Sequence, residues 1–153
     1  MKLYLVQHGV PKSESEDPQK PLSEVGKMEV EKVAQALKRA GIKVTNIFHS
    51  GKLRAKQTAE IIGDYLNPSG GILEAEGLKP LDPPEIWANK LSDFKDPIML
   101  VGHLPHLQKL CSVLVIQDAE KPVIKFRQGG VVALEKDDKG NWIISWLVYP
   151  DFL

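Results

Sequence analysis

Two histidines and one arginine stand in this sequence where chemistry on an anion is readily built. His8 lies in Gln7-His8-Gly9, Arg54 ends Ser50-Gly51-Lys52-Leu53-Arg54, and His103 lies in Gly102-His103-Leu104-Pro105. Each segment follows a short apolar run. An uncharged imidazole is a competent nucleophile near neutral pH, because its ordinary pKa is about 6.5. A guanidinium offers a planar fork of donors that fits two oxygens of a phosphate or carboxylate. Gly9, with no Cβ, lets the backbone come close to a bound group.

The elements around these residues explain why they would meet. Residues 2–6 read as a buried strand ending in a loop at Gln7. Residues 10–21 carry three prolines and many charges, which marks a solvated loop. Ser23 is the expected N-cap of a helix whose apolar stripe is Val30, Val33, Ala34 and Leu37, stopped by Gly41. Residues 44–48 form a second strand, His49-Ser50-Gly51 a turn, and residues 53–66 a helix with Ala55, Ala59, Ile62 and Leu66 on one side. A short strand is expected at 72–75, a helix opened by Pro83-Pro84 over 85–94, a strand at 97–101 and a helix at 107–115. The pattern then changes to period two, with strands at 123–126, 130–135 and 142–148 and a hairpin turn over 136–141. Trp142 and Trp146 are expected on one face of the last strand. Alternating strands and helices imply an α/β fold: a three-layer sandwich with a mostly parallel central sheet, helices on both faces and a C-terminal antiparallel hairpin. No linker divides the chain, so residues 1–153 are expected to form one domain. In such sheets ligands bind beyond the carboxyl ends of the strands, which is where His8, Arg54 and His103 fall. A helix starting near Arg54 would also aim backbone N–H groups at that rim.

Composition narrows the classes. The 153 residues include 20 Lys plus Arg and 20 Asp plus Glu, so no global field draws the chain to nucleic acid or to an anionic membrane. Any affinity for an anion must be local. The single Cys111 can form no internal disulfide, which suits a reducing compartment. The N-terminal apolar run is too short for a signal peptide, and no stretch of about 18 apolar residues is present. A soluble, cytoplasmic protein is expected. No His-x-x-x-His pair, carboxylate cluster or cysteine pair has ligand spacing, so neither metal nor cofactor is expected.

Taken together, the motifs resemble those of the histidine phosphatase superfamily. Gln7-His8-Gly9 resembles its Arg-His-Gly signature. Residues 50–58, from Ser50 through Arg54-Ala55-Lys56-Gln57-Thr58, resemble its Ser-x-x-x-Arg-Ala-x-Gln-Thr segment. Val101-Gly102-His103-Leu104-Pro105 resembles its second-histidine segment, and Lys20-Pro21-Leu22-Ser23 with Gly26 resembles its Arg-Pro-Leu-Thr-x-x-Gly turn. The short length and the His-x-Pro form are similar to the SixA-type phosphohistidine phosphatase branch, with a phosphoglycerate-mutase-like fold. The resemblance implies that His8 attacks phosphorus, that Arg54 and His103 bind phosphoryl oxygens, and that the partner is a phosphorylated histidine phosphotransfer domain. It leaves open a phosphatase for small phosphate esters, and a binding module with little turnover.

One residue departs from the pattern: Gln7 stands where the signature has arginine. Glutamine donates hydrogen bonds but brings no charge, a difference of about 1–3 kcal/mol of transition-state stabilisation. Lys20 is expected to restore part of that charge. Ser50 is expected either to touch phosphate or to cap the turn. Glu76 and, in the first loop, Asp17 are the carboxylates that could serve as a proton source. An imidazole leaving group is readily protonated near neutral pH and needs little such help, which favours a phosphoramidate substrate. His49 and His106 are expected to be structural.

Overall fold

The computed structural model describes all 153 residues. Ten elements form the frame: β1 (Lys2–Gln7), α1 (Glu24–Arg39), β2 (Asn46–His49), α2 (Leu53–Leu66), β3 (Ile72–Glu74), α3 (Glu85–Lys90), β4 (Ile98–Gly102), α4 (His106–Ile116), β5 (Val131–Lys136) and β6 (Trp142–Val148). The six strands make one sheet in the order β3-β2-β4-β1-β5-β6. The first four of these run parallel, while β5 and β6 are antiparallel additions at one edge. This is the expected α/β sandwich.

Alternation along the strands divides the core in two. Tyr4, Val6, Met99 and Val101 face one side and pack against Val30, Val33, Ala34 and Leu37 of α1 and Ala55, Ala59 and Ile62 of α2. Leu3, Leu5, Ile98 and Leu100 face the other and pack against Trp87 of α3 and Leu107, Leu110, Cys111 and Leu114 of α4. Each buried Val, Leu, Ile or Met among them stabilises the fold by roughly 1.5–3 kcal/mol. Ser23 caps α1 as expected, its Oγ accepting from Gly26 N–H at 3.0 Å.

The register positions the rim. Leu3 pairs with Ile98 and Gln7 with Gly102, so the residues that follow the two strands, His8 and His103, leave the sheet side by side. His8 N–H extends the ladder by donating to Gly102 O at 3.0 Å. On the other flank His49 pairs with Val101, which brings Ser50 up beside the same rim.

Three expectations are corrected. Residues 123–126 form no strand. Phe126 is buried and Val123 and Ile124 half-buried against the α3/α4 core, so their apolar pattern records packing rather than strand pairing. Trp142 and Trp146 do not share a face. A register shift pairs Ala133 with Trp146 but Leu134 with Ile144, which leaves Ser145 as the extra residue of a bulge. Trp142 therefore packs with the α3/α4 core, while Trp146 sits 5.7 Å from the ring of Tyr4 on the opposite face. Finally, α3 stops at Lys90 and gives way to a 3₁₀ turn over Leu91–Asp93. That tighter turn carries Phe94 into an aromatic cluster with Phe48 and Trp87.

Candidate active site

His8 is 7% exposed, at the end of β1. Its Nδ1 lies 2.7 Å from the carbonyl oxygen of Gly9. A carbonyl can only accept, so Nδ1 carries the proton and the neutral ring keeps its lone pair on Nε2. Burial holds the pKa of His8 down to about 4; the Gly9 bond opposes this, while the charges of Arg54 and Lys20 add to it. The ring is thus uncharged throughout the neutral range, with the lone pair of Nε2 free.

The backbone of His8 is pinned on both sides. Gly129 N–H is shared between Gln7 O at 2.9 Å and His8 O at 3.1 Å. Gly9 N–H donates to Thr58 Oγ1 at 3.0 Å, and that hydroxyl donates onward to Arg54 O at 2.8 Å. Gly9 is also crowded from behind: a Cβ there would stand 2.7 Å from Val30 Cγ2. Its lack of a side chain is therefore required by the approach of α1. At Gly26 of α1 a Cβ would meet Val10 O at 2.1 Å. Ser23 Oγ donates to that same oxygen at 2.9 Å. The turn from Lys20 to Gly26 thus serves to seat α1 against the loop that carries the histidine.

His103, 1% exposed, faces His8 with ring centroids 5.0 Å apart. Its Nε2 is 2.7 Å from Ser50 Oγ, and that oxygen also accepts from Lys52 N–H at 3.3 Å. Ser50 therefore both shapes the turn into α2 and holds His103. Burial first, then the neighbouring His8, Arg54, Lys52 and His106, push the pKa of His103 down to about 3. Arg54, in the first turn of α2, is half-buried, and its charge reaches both histidines. Burial lowers its own pKa, but the guanidinium remains charged. The N–H groups of Leu53 and Arg54, at the start of α2, have no protein partner.

Beside Arg54 opens a cleft of about 570 Å³ between the loop of residues 14–20 and the start of α2. Lys20 lines it and is close enough for its charge to act on His8. Its backbone has a φ of 49°, with its N–H donated to Asp17 O at 2.9 Å. Asp17 in turn accepts from Gln19 N–H at 3.0 Å, so this residue shapes the loop. Gln7 is 8% exposed, and its Oε1 is buried without a partner. Glu76 is exposed; its carbonyl accepts from Trp87 Nε1 at 2.9 Å, and no hydrogen bond or ion pair joins its carboxylate to the histidines. His49 accepts from Gly51 N–H through Nδ1 at 3.1 Å, which fixes the turn after β2. His106 is buried at the start of α4, with neither ring nitrogen bonded.

The model of the histidine phosphatase superfamily, branch 1, matches residues 3–82, more than half of the sequence. The chain belongs to that superfamily. Among curated relatives of this histidine phosphatase is phosphohistidine phosphatase SixA of Escherichia coli, 26% identical over 156 residues that cover 98% of this chain and 94% of the relative. A solved structure of the protein histidine phosphatase SixA complexed with tungstate superposes with a TM-score of 0.87 at 23% identity, covering 99% of both chains. Phosphoglycerate mutase of Plasmodium falciparum superposes with a TM-score of 0.69 at 19% identity, covering 95% of this chain and 88% of that one. At these identities the solved structures establish the fold. No helix of this histidine phosphatase is long and apolar enough to cross a membrane.

Some supporting residues carry no signal of their own in the sequence. Thr58 and Gln57 stand there only as letters of a motif, yet Thr58 holds Gly9, and Gln57 Oε1 accepts from Leu22 N–H at 2.7 Å. Arg127 donates through both terminal nitrogens to Glu29 at 3.0 and 2.6 Å, and through Nε to Asp151 at 2.9 Å. This clamp ties α1 and the C-terminal turn to the loop that carries Gly129. No local pattern announces it.

Proposed function

We propose that this chain is a phosphatase that removes the phosphoryl group from phosphohistidine on a protein, through a covalent intermediate on His8, and that residues 1–153 act as one domain. The observation that carries this reading is the neutral, Nδ1-protonated His8 ring facing His103 within reach of the Arg54 charge. Nε2 of His8 attacks phosphorus, and the bond to the substrate imidazole breaks. The leaving nitrogen takes up a proton, which is easy near neutral pH, so neither Glu76 nor Asp17 need supply it. Water then attacks the phosphorus on His8, the new N–P bond breaks, and inorganic phosphate leaves. Splitting the transfer in this way replaces one hard step with two easier ones.

Arg54 neutralises two phosphoryl oxygens with its fork. An arriving phosphoryl oxygen joins or displaces Ser50 at His103 Nε2. Lys20 supplies charge from the cleft, while Gln7 and the backbone at Gly9 line the end of β1. No metal or cofactor takes part in these steps. Tungstate, bound in the solved SixA structure, is an oxyanion of phosphate-like shape, which supports a phosphate site here. The partner that best fits is a histidine phosphotransfer domain.

A second reading rests on Gln7. With an uncharged amide beside His8, the site would bind phosphate or phosphohistidine and turn it over little. The test is phosphate release from a phosphorylated histidine phosphotransfer protein, without added metal, with His8→Ala as control. Release that vanishes in the variant supports the phosphatase. Phosphate binding without release supports the binding module.

A further inference from the structure

The cleft beside Arg54 holds more positive charge than one phosphoryl group uses. Of its nine lining residues four are cations, Lys20, Lys52, Arg54 and Lys56, while Glu14 is the only acid. The chain as a whole balances 20 cations against 20 anions, so this is a local excess. The five ion pairs of the protein engage Lys2, Lys27, Lys109 and Arg127, and none engages a cleft cation. Side-chain hydrogen bonds are likewise absent from Lys20, Lys52, Arg54 and Lys56. Lys52 also borders a second cleft of about 260 Å³, which adds Lys79 to the same rim and is bounded by Glu74. Lys52 and Lys56 are exposed on either side of Arg54 at the start of α2.

Like charges gathered without partners repel one another and raise the free energy of the empty protein, a cost that a bound anion offsets. Arg54 and Lys20 suffice to face one phosphoryl group. Lys52 and Lys56 line the same open cleft, and the charge of Lys52 also reaches His103. Leu53 and Pro18 are the only bulky apolar residues of the lining, and none is aromatic, so the cleft offers charge rather than an aromatic platform. Lysines are hydrated point charges rather than planar forks, suited to dispersed carboxylates.

We propose that this cleft is a second anion subsite, which takes acidic side chains flanking the phosphohistidine on the partner protein. The proposal rests on the phosphatase reading for the first anion, but binding tests it independently of turnover. Two peptides of one sequence, without phosphate, carry Asp and Glu or Asn and Gln on either side of the histidine. The acidic peptide should bind roughly tenfold more tightly at low salt, and the difference should collapse in the Lys52→Ala/Lys56→Ala double variant and at about 1 M salt, where screening acts over about 3 Å. With phosphorylated peptides the same preference should appear in KM rather than kcat. Equal binding of the two peptides, or a preference unchanged in the double variant, overturns the subsite. Pyrophosphate whose affinity drops in the double variant as far as the acidic peptide's assigns the cleft to small polyanions and also overturns it. Failure to hydrolyse phosphoramidate, a substrate with no flanks, would count against the phosphatase reading and leave the binding comparison standing.

Discussion

His8 and His103 face each other at 5.0 Å because Gln7 of β1 pairs with Gly102 of β4. Two residues 95 positions apart in the chain become neighbours through one step of parallel register. A slip of one residue would turn the side chains of β1 to the opposite face and separate the pair. The site is thus a property of the sheet before it is a property of the loops.

The burial of this pair sets its titration. His8 is held to about 4 and His103 to about 3, in both cases mainly by burial. In an NMR titration of the free protein both rings should stay neutral well below the ordinary histidine value of about 6.5. The unfolded chain takes up those protons near 6.5 and the folded chain refuses them. Stability is therefore fully present above about pH 6.5 and declines as pH falls toward 4 for His8 and toward 3 for His103. Saturating phosphate should move both midpoints upward, because an anion offsets the charge of Arg54 and Lys20. A His8 midpoint near 6.5 in the free protein would contradict the account.

Gln7 limits the chemistry by its missing charge. Its side chain is nearly enclosed, and one amide atom lacks a partner, so the position already lies in the polar end of the core. Gln7→Arg should raise the single-turnover rate by about ten- to a hundredfold, which corresponds to about 1–3 kcal/mol. A falling rate would mean that the pocket is built around glutamine.

Thr58 is fully buried and links Gly9 to Arg54 through one hydroxyl. Thr58→Val keeps the shape and removes the acceptor, leaving Gly9 N–H unpaired. The expected loss is about 1–3 kcal/mol of stability, read as a lower urea midpoint. The rate of phosphoryl transfer should fall as well, because Gly9, whose carbonyl holds His8 Nδ1, loses its anchor. Thr58→Ser should restore both. Unchanged stability in the valine variant would show that Gly9 finds another partner.

The sequence is legible where its patterns are local. The apolar runs at 2–6, 44–48 and 97–101 locate three parallel strands, and the residues after each locate the rim that holds His8, Ser50 and His103. Contacts between distant segments leave no such trace. Arg127 and Glu29, 98 positions apart, form an ion pair that no periodicity marks. Gly129 reads as a loop glycine, although its N–H holds the carbonyls of Gln7 and His8. The bulge at Ser145 shifts alternation by one residue, so Trp142 and Trp146, evenly spaced in sequence, end on opposite faces. Residues 123–126 carry a strand's composition, but Phe126 is buried and Val123 and Ile124 half-buried against the α3/α4 core without strand pairing.

The central claim is that His8 carries the phosphoryl group, and trapping the intermediate tests it most directly. The enzyme is mixed with a histidine phosphotransfer protein bearing labelled phosphate, quenched within milliseconds in alkali, and mapped. The account predicts a burst of label on His8 that is stable to alkali, labile to acid and absent from His8→Ala. Release of phosphate that persists in His8→Ala, with no label on the wild-type enzyme, would contradict it.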